Sequence, residues 1–174
     1  MGGVRLASGA VSRRTLLLLA SLSLAGCGAS EAAPAARPLV GTVARVIDGD
    51  TVQVALGGRR ERVRYIGVDS PESVKPQAPV QCFAKRASAF NTRLVRGERV
   101  RLVSDAERRD RYGRLLAYVY RERDGLFVNA ELVRRGYART LTIPPNVAHA
   151  AELRKLASAA RRAGRGLWSA CRAS

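Results

Sequence analysis

Apolar and polar positions along this chain fall into short runs whose period changes several times. From Leu39, valines at 40, 43 and 46 lead to an Asp48-Gly49 turn signal, after which Val52, Val54 and Leu56 alternate with Thr51, Gln53 and Ala55. Alternation of that kind predicts a half-buried strand. Gly57-Gly58 is a two-residue hairpin signal that sends the chain back from Arg60 to Val68 as an antiparallel partner. Beyond a polar, proline-bearing stretch, Phe83, Ala87, Phe90 and Leu94 share one face of a helical wheel, with Lys85, Arg86 and Arg93 elsewhere on it. This predicts an amphipathic helix that ends near Gly97. Arg99 to Val103 and Leu115 to Tyr120 read as strands four and five. Asn129 reads as the N-cap of a helix from Ala130 to Arg135 that stops at Gly136. Leu153, Leu156, Ala157 and Ala160 form the stripe of a last helix, Val147 to Ala163, followed by Leu167 and Trp168. Five short strands and three helices, without an internal repeat, predict a β-rich α+β fold built as a small barrel around one core.

The N-terminal residues carry a different pattern. Arg13 and Arg14 precede an apolar run from Thr15 to Gly26, too short to span a bilayer comfortably and laid out like an export signal. Leu24-Ala25-Gly26-Cys27 resembles the bacterial lipobox, whose cysteine is lipidated and becomes the mature N-terminus, and Ser12 to Leu17 resembles a twin-arginine signal. Residues 1–26 are thus expected to be a signal peptide, Cys27 a lipid anchor, 28–38 an Ala- and Pro-rich tether, and 39–171 the single domain. The alternative is an uncleaved anchor with an incidental cysteine. The expected location is the membrane, facing the periplasm or cell exterior. Cys82 and Cys171 then remain in an oxidising compartment and are predicted to pair, two free buried thiols being the alternative. The single histidine, His149, makes a cysteine–histidine metal site a poor fit; it is expected at the surface near the start of the last helix, without a catalytic role.

Charge narrows the partners. The chain carries a formal +17. Arg5, Arg13 and Arg14 lie in the leader and every acid lies beyond it, so the mature chain retains +14. A polyanion such as DNA or RNA suits that excess. Arginine enrichment from genome composition is the alternative source, since only Lys75, Lys85 and Lys155 are lysines.

Candidate chemistry lies in three segments: Val46-Ile47-Asp48-Gly49-Asp50-Thr51-Val52, Arg64-Tyr65-Ile66-Gly67-Val68-Asp69-Ser70-Pro71-Glu72 and Asp110-Arg111-Tyr112-Gly113-Arg114. Carboxylates hold hard divalent cations, a further glutamate can handle a water proton, and two guanidinium groups can grip a phosphate. Together they suit phosphodiester hydrolysis. A direct hairpin about Gly57-Gly58 sets Asp50 opposite Tyr65, however, and a flat ladder leaves Asp50 and Asp69 ~13 Å apart at ~3.3 Å per residue. The acids can meet only if the strands coil or the chain bends.

In order and spacing these segments resemble the staphylococcal nuclease (thermonuclease) family. The resemblance covers Leu39 to about Ser169 and extends to Leu116-Ala117-Tyr118-Val119-Tyr120, Asp124-Gly125, Val128-Asn129, Leu132-Val133 and Gly166-Leu167-Trp168-Ser169. It implies a five-stranded OB-fold barrel with three helices, and a calcium-dependent enzyme that cuts DNA and RNA at the 5′ P–O bond to leave 3′-phosphates. By position, Asp50 and Asp69 would bind Ca2+ through carboxylates and Ser70 through its main-chain oxygen, which is indifferent to the family's usual threonine. Asp48 and Thr51 would support these ligands, Asp48 having turn stabilisation as its alternative role. Glu72 would activate or position the attacking water, and Arg64 and Arg114 would bind the scissile phosphate. Tyr112, beside Arg114, is a substrate-contact candidate, with a core-edge tyrosine as the alternative. Two base-contacting tyrosines of the family prototype have no counterpart in Leu141-Thr142-Ile143-Pro144-Pro145. A non-catalytic nucleic-acid-binding OB-fold lipoprotein is the rival reading. No protein partner is implied, and a monomer is expected.

Overall fold

Short valine-rich runs separated by tight turns close on themselves. The computed structural model describes residues 38–72 and 79–171; the leader, Cys27 and the tether up to residue 37 lie outside the described residues. Strand β1 (Leu39–Val46) pairs antiparallel with β2 (Thr51–Leu56), and β2 pairs with β3 (Arg59–Tyr65) across the Gly57-Gly58 turn. A bulge between Val43 and Arg45 accounts for the three-residue spacing of Val43 and Val46, which strict alternation does not produce. After β4 (Gly67–Asp69) and helix α1 (Ala84–Val95) come β5 (Arg99–Val103) and β6 (Leu115–Arg121). The order β1-β2-β3-β6-β5 forms a closed barrel, with a parallel β3–β6 seam. Val43, Val52, Val54, Val63, Val100 and Val119 are all at most 1% exposed and fill the core. Closure leaves the barrel no edge strand. Helix α2 (Val128–Arg134), strand β7 (Arg139–Leu141), helix α3 (Ala150–Arg162) and a short α4 (Leu167–Ala170) complete the chain. The expected OB-fold barrel and its three main helices are present. Among the described residues, no helix is long and apolar enough to cross a membrane.

The structure corrects several boundaries. The third strand ends at Tyr65 rather than Val68, because Gly67 turns at φ 78° and residues 67–69 leave the barrel to pair with β7, a strand the apolar pattern did not reveal. Asn129 is not an N-cap but a buried residue inside α2. Its Nδ2 donates to the carbonyls of Ile66 (2.8 Å) and Ala117 (3.4 Å), and its Oδ1 accepts from the Val119 N–H at 3.0 Å. The carboxamide thus pins the break in β3 to β6, a tertiary use that outcompetes its local capping preference. The last helix starts at Ala150 because the preceding turn is held by Asp105, which accepts from Tyr118 Oη (2.9 Å) and the Ala148 N–H (3.0 Å). His149 is half-buried rather than on the surface: its ring lies 4.5 Å from Tyr118 and 4.8 Å from Phe127, with Nδ1 2.9 Å from Glu152.

Cys82 and Cys171 form a disulfide across 89 residues, tying the approach to α1 to the end of α4. A loop of that length is worth about 4–5 kcal/mol on the chain-entropy account.

Replacing Asn129 with Ala leaves the Val119 N–H and Ile66 carbonyl buried and unpaired, so unfolding in urea should show a loss of about 3 kcal/mol. A loss below about 1 kcal/mol would sink the pinning role. Burial raises the Asp105 carboxyl, but the Ala148 N–H, Tyr118 hydroxyl and neighbouring N–H groups outweigh it and hold its pKa below the ordinary 3.8. Its stabilisation is therefore complete above pH 3.8 and fades as pH falls through the lowered value. In thermal unfolding, the gap between the parent and Asp105→Asn should be widest near neutrality and narrow in acid. A gap independent of pH would refute the linkage.

Candidate active site

The turn after β1 presents its acids through its own hydrogen bonds. Ile47 and Asp48 donate backbone N–H groups to the Thr51 carbonyl (2.9 and 3.3 Å), and the Asp50 N–H donates to Asp48 Oδ1 at 3.0 Å. The Tyr65 N–H donates to the Asp50 carbonyl at 3.0 Å, so Asp50 lies opposite Tyr65 as hairpin counting requires. The bend at Ile66-Gly67 then brings Asp69 back. One guanidinium records the convergence: Arg64 Nη1 lies 2.8 Å from Asp50 Oδ2 and donates to the Val68 carbonyl at 2.9 Å, while Nη2 donates to Asp69 Oδ1 at 3.2 Å. The Ser70 N–H donates to Asp50 Oδ2 at 2.6 Å. Gly49 permits this approach, since a Cβ there would sit 2.6 Å from Ser70 Cβ.

Buried Thr51 donates its hydroxyl to Asp50 Oδ1 at 3.2 Å, which orients the carboxylate. Asp48 is pushed up to about 6 by burial and then by the neighbouring Asp50 charge. Its carbonyl accepts from Asn91 Nδ2 at 3.1 Å, and Asn91 Oδ1 accepts from Tyr65 Oη at 3.1 Å. Asn91, fully buried on α1, went unrecognised in the sequence; its one signal there was a polar residue four positions after Ala87 on the apolar face. Gln81 was missed as well: its Oε1 accepts from the Glu72 N–H (2.9 Å) and its own N–H donates to the Glu72 carbonyl (3.1 Å), one residue before the disulfide. Glu72 is half-buried three residues beyond Asp69.

Arg114 is oriented from within its own turn. Its Nε donates to Asp110 Oδ2 at 2.7 Å, and Asp110 Oδ1 accepts from the N–H groups of Tyr112 (2.9 Å) and Arg114 (3.0 Å). Burial alone would raise Asp110, but the Arg114 side chain and these N–H groups outweigh it and lower its pKa. Arg64 and Arg114 line one open cavity of about 530 Å³ together with Tyr112, Leu141 and Ile143. Tyr112 is 67% exposed, with the Arg114 guanidinium 5.5 Å from its ring centre, so it is a groove residue and not a core-edge one. In the segment lacking the prototype's tyrosines, Leu141 and Ile143 present exposed aliphatic surface instead.

Among the described residues, no group of three or more His, Cys, Asp or Glu side chains is gathered as for a metal. The donor set nevertheless suits a hard divalent cation in kind and charge: two carboxylates already turned toward one cationic group, with the Ser70 main chain bonded through its N–H to one of them.

A family model described as "Staphylococcal nuclease homologue" matches residues 62–170. The chain belongs to this family. It is 40% identical over 127 residues to a thermonuclease of Staphylococcus hyicus, covering 73% of this chain and 74% of the relative. It is 51% identical over 104 residues to a thermonuclease of Staphylococcus intermedius, covering 60% and 61% respectively. To the endonuclease YncB of Bacillus subtilis (strain 168) it is 40% identical over 130 residues, covering 74% and 61%. The chain thus spans 61% of the length of two of these relatives. The family match contains Arg64, Asp69, Ser70, Glu72 and Arg114 and begins beyond Asp50.

Removing the shared cation should expose the electrostatic cost of the cluster. In chelator at neutral pH, Arg64→Met is expected to destabilise the protein by about 3 kcal/mol, because Asp50 stays buried beside Asp69 with its charge uncompensated. Denaturant unfolding checks this; a variant as stable as the parent would show that Arg64 does not hold the acids.

Proposed function

We propose that this chain is a calcium-dependent phosphodiesterase that hydrolyses DNA and RNA at the 5′ P–O bond and leaves 3′-phosphates. The observation that carries the proposal is the convergence of Asp50 and Asp69 on Arg64, with the Ser70 main chain bonded to Asp50 and with Arg64 and Arg114 lining one cavity. Asp50, Asp69 and the Ser70 main-chain oxygen would hold the ion, which when bound supplies positive charge against the phosphate. Arg64 and Arg114 bind the scissile phosphate and meet the added negative charge as phosphorus becomes five-coordinate; Arg114 is fixed in advance by Asp110, whereas Arg64 must turn from Asp50 and Asp69 to the phosphate when those carboxylates hold the ion. Glu72 accepts a proton from the attacking water or positions it, the water oxygen bonds to phosphorus, and the bond to the 5′-oxygen breaks, that oxygen leaving as a 5′-hydroxyl with a proton taken from solvent. Tyr112 supplies an aromatic face in the groove.

The same proposal places the protein outside the cytoplasmic membrane. The Leu24-Ala25-Gly26-Cys27 sequence supports a lipid anchor at Cys27, with residues 28–38 as a tether, and a chain exported in this way acts as a monomer on extracellular or periplasmic nucleic acid. The disulfide suits an oxidising compartment.

Cleavage of single-stranded DNA and RNA by residues 28–174 is expected with calcium and lost with chelator. Arg114→Ala should slow it ~100-fold, equivalent to about 3 kcal/mol of transition-state stabilisation, and Glu72→Ser should bring it near background. Tight binding without cutting by a correctly folded protein would overturn the nuclease proposal and favour a binding module.

A further inference from the structure

Some arginines on this surface are matched by acids: Arg101 with Glu122, Arg109 with Glu61, Arg121 and Arg123 with Asp124, and Arg134 and Arg135 with Glu131. Others among the described residues are not, and several of the unmatched ones gather on one face of the barrel. On β3, Val63 and Tyr65 point into the barrel, so Arg60, Arg62 and Arg64 share its outer side, at intervals of about 7 Å. In the ladders, Arg62 pairs with Gln53 and Gln53 with Arg45, which sets Arg45 on the same outer face of β1. Arg96, just past the end of α1, joins them: Arg45, Arg60 and Arg96 line an open cavity of about 480 Å³ with Gln53 and Thr92. Arg45, Arg60, Arg62 and Arg96 are exposed, and none has an ion-pair partner among the described residues. Three like charges around one concavity repel each other unless an anion lies between them.

We propose that the outer face of β1, β2 and β3 is a backbone-binding track for a single nucleic-acid strand, running from Arg64 through Arg62 to a phosphate subsite formed by Arg45, Arg60 and Arg96. The subsite lies about 13 Å beyond Arg64, and the track extends the phosphodiester reading of the site to substrate more than one linkage away; in that respect it rests on that reading. Guanidinium forks match phosphate oxygens two at a time, and the Gln53 amide adds a neutral donor. A nucleic-acid strand fits better than an anionic bilayer. The subsite is concave and continuous with Arg64, and none of the exposed large apolar side chains (Val40, Val80, Tyr112, Leu141, Ile143 and Val147) belongs to it, so nothing there would enter acyl chains.

The test uses the full chain in non-ionic detergent and a variant combining Arg45→Gln, Arg60→Gln and Arg96→Gln. In calcium-free buffer with chelator, fluorescence anisotropy with a 16-nucleotide DNA strand is followed across a salt series. Three lost phosphate contacts at ~0.7 each should make the slope of log K against log salt shallower by about 2 and weaken binding ~100-fold at 0.1 M salt. The triple Arg→Lys version should restore the slope. With calcium, kcat/KM on a dinucleotide should stay within about twofold of the parent while that on the 16-mer falls ~100-fold. An unchanged salt slope overturns the track, as does an equal loss on the dinucleotide or a loss confined to phosphatidylserine vesicles. If the parent cuts nothing yet the slope shifts as stated, the nuclease reading fails and the track stands.

Discussion

One guanidinium stands between two carboxylates that would otherwise repel each other, and the local chain path is arranged around it. Arg64 is the last outward residue of β3 before the strand breaks; Asp50 precedes the paired strand and Asp69 lies beyond the break. Bringing two acids together in a partly buried corner is costly, and a hydrogen-bonded cation offsets that cost only when its geometry is fixed. Here it is fixed from several directions, by the Val68 carbonyl, the Ser70 N–H on Asp50, and the absence of a side chain at Gly49.

The barrel supplies the rigidity this corner needs. Closure through the β3–β6 seam sets Arg64 in register with Leu116, one strand away from the turn that holds Arg114. Asn129 ties the broken end of β3 to β6 from below, while Asn91 and Tyr65 link the Asp48 carbonyl to α1. On the opposite side, Gln81 and the Cys82–Cys171 bond secure the chain where it returns from the Glu72 segment. The Asn129, Asn91 and Tyr65 contacts are buried, where donors and acceptors exchange partners with water least readily, whereas the Gln81 and disulfide supports lie at the surface.

Charge is organised at two scales. In the corner, arginine and aspartate are balanced one against another at distances near 3 Å. On the outer face of β1 to β3 the balance is absent, and a row of arginines leads away from the same corner. A family member with this surface presents a long positive approach to a small reaction site, an arrangement suited to substrates that are extended polyanions.

Short-range regularities in the sequence determined the barrel strands, the Gly57-Gly58 hairpin and its register, the apolar faces of α1 and α3, and which acids and arginines are candidates for chemistry. Each depends on residues a few positions apart, through the two-residue period of a strand or the 3.6-residue period of a helix. The spacing argument also identified the obstacle, because a flat ladder holds Asp50 away from Asp69. Only the tertiary structure decided how that gap closes. The break at Ile66-Gly67, the β4–β7 pairing, Asn129 as a buried pin instead of a helix cap, and His149 as a half-buried ring all depend on partners distant in the chain; Asn129 reaches 63 residues back to Ile66. Local pattern cannot encode such contacts, since a polar side chain has the same intrinsic preference whether its partner is the next turn or another strand. The folded surroundings choose between them by leaving one set of buried donors and acceptors otherwise unsatisfied.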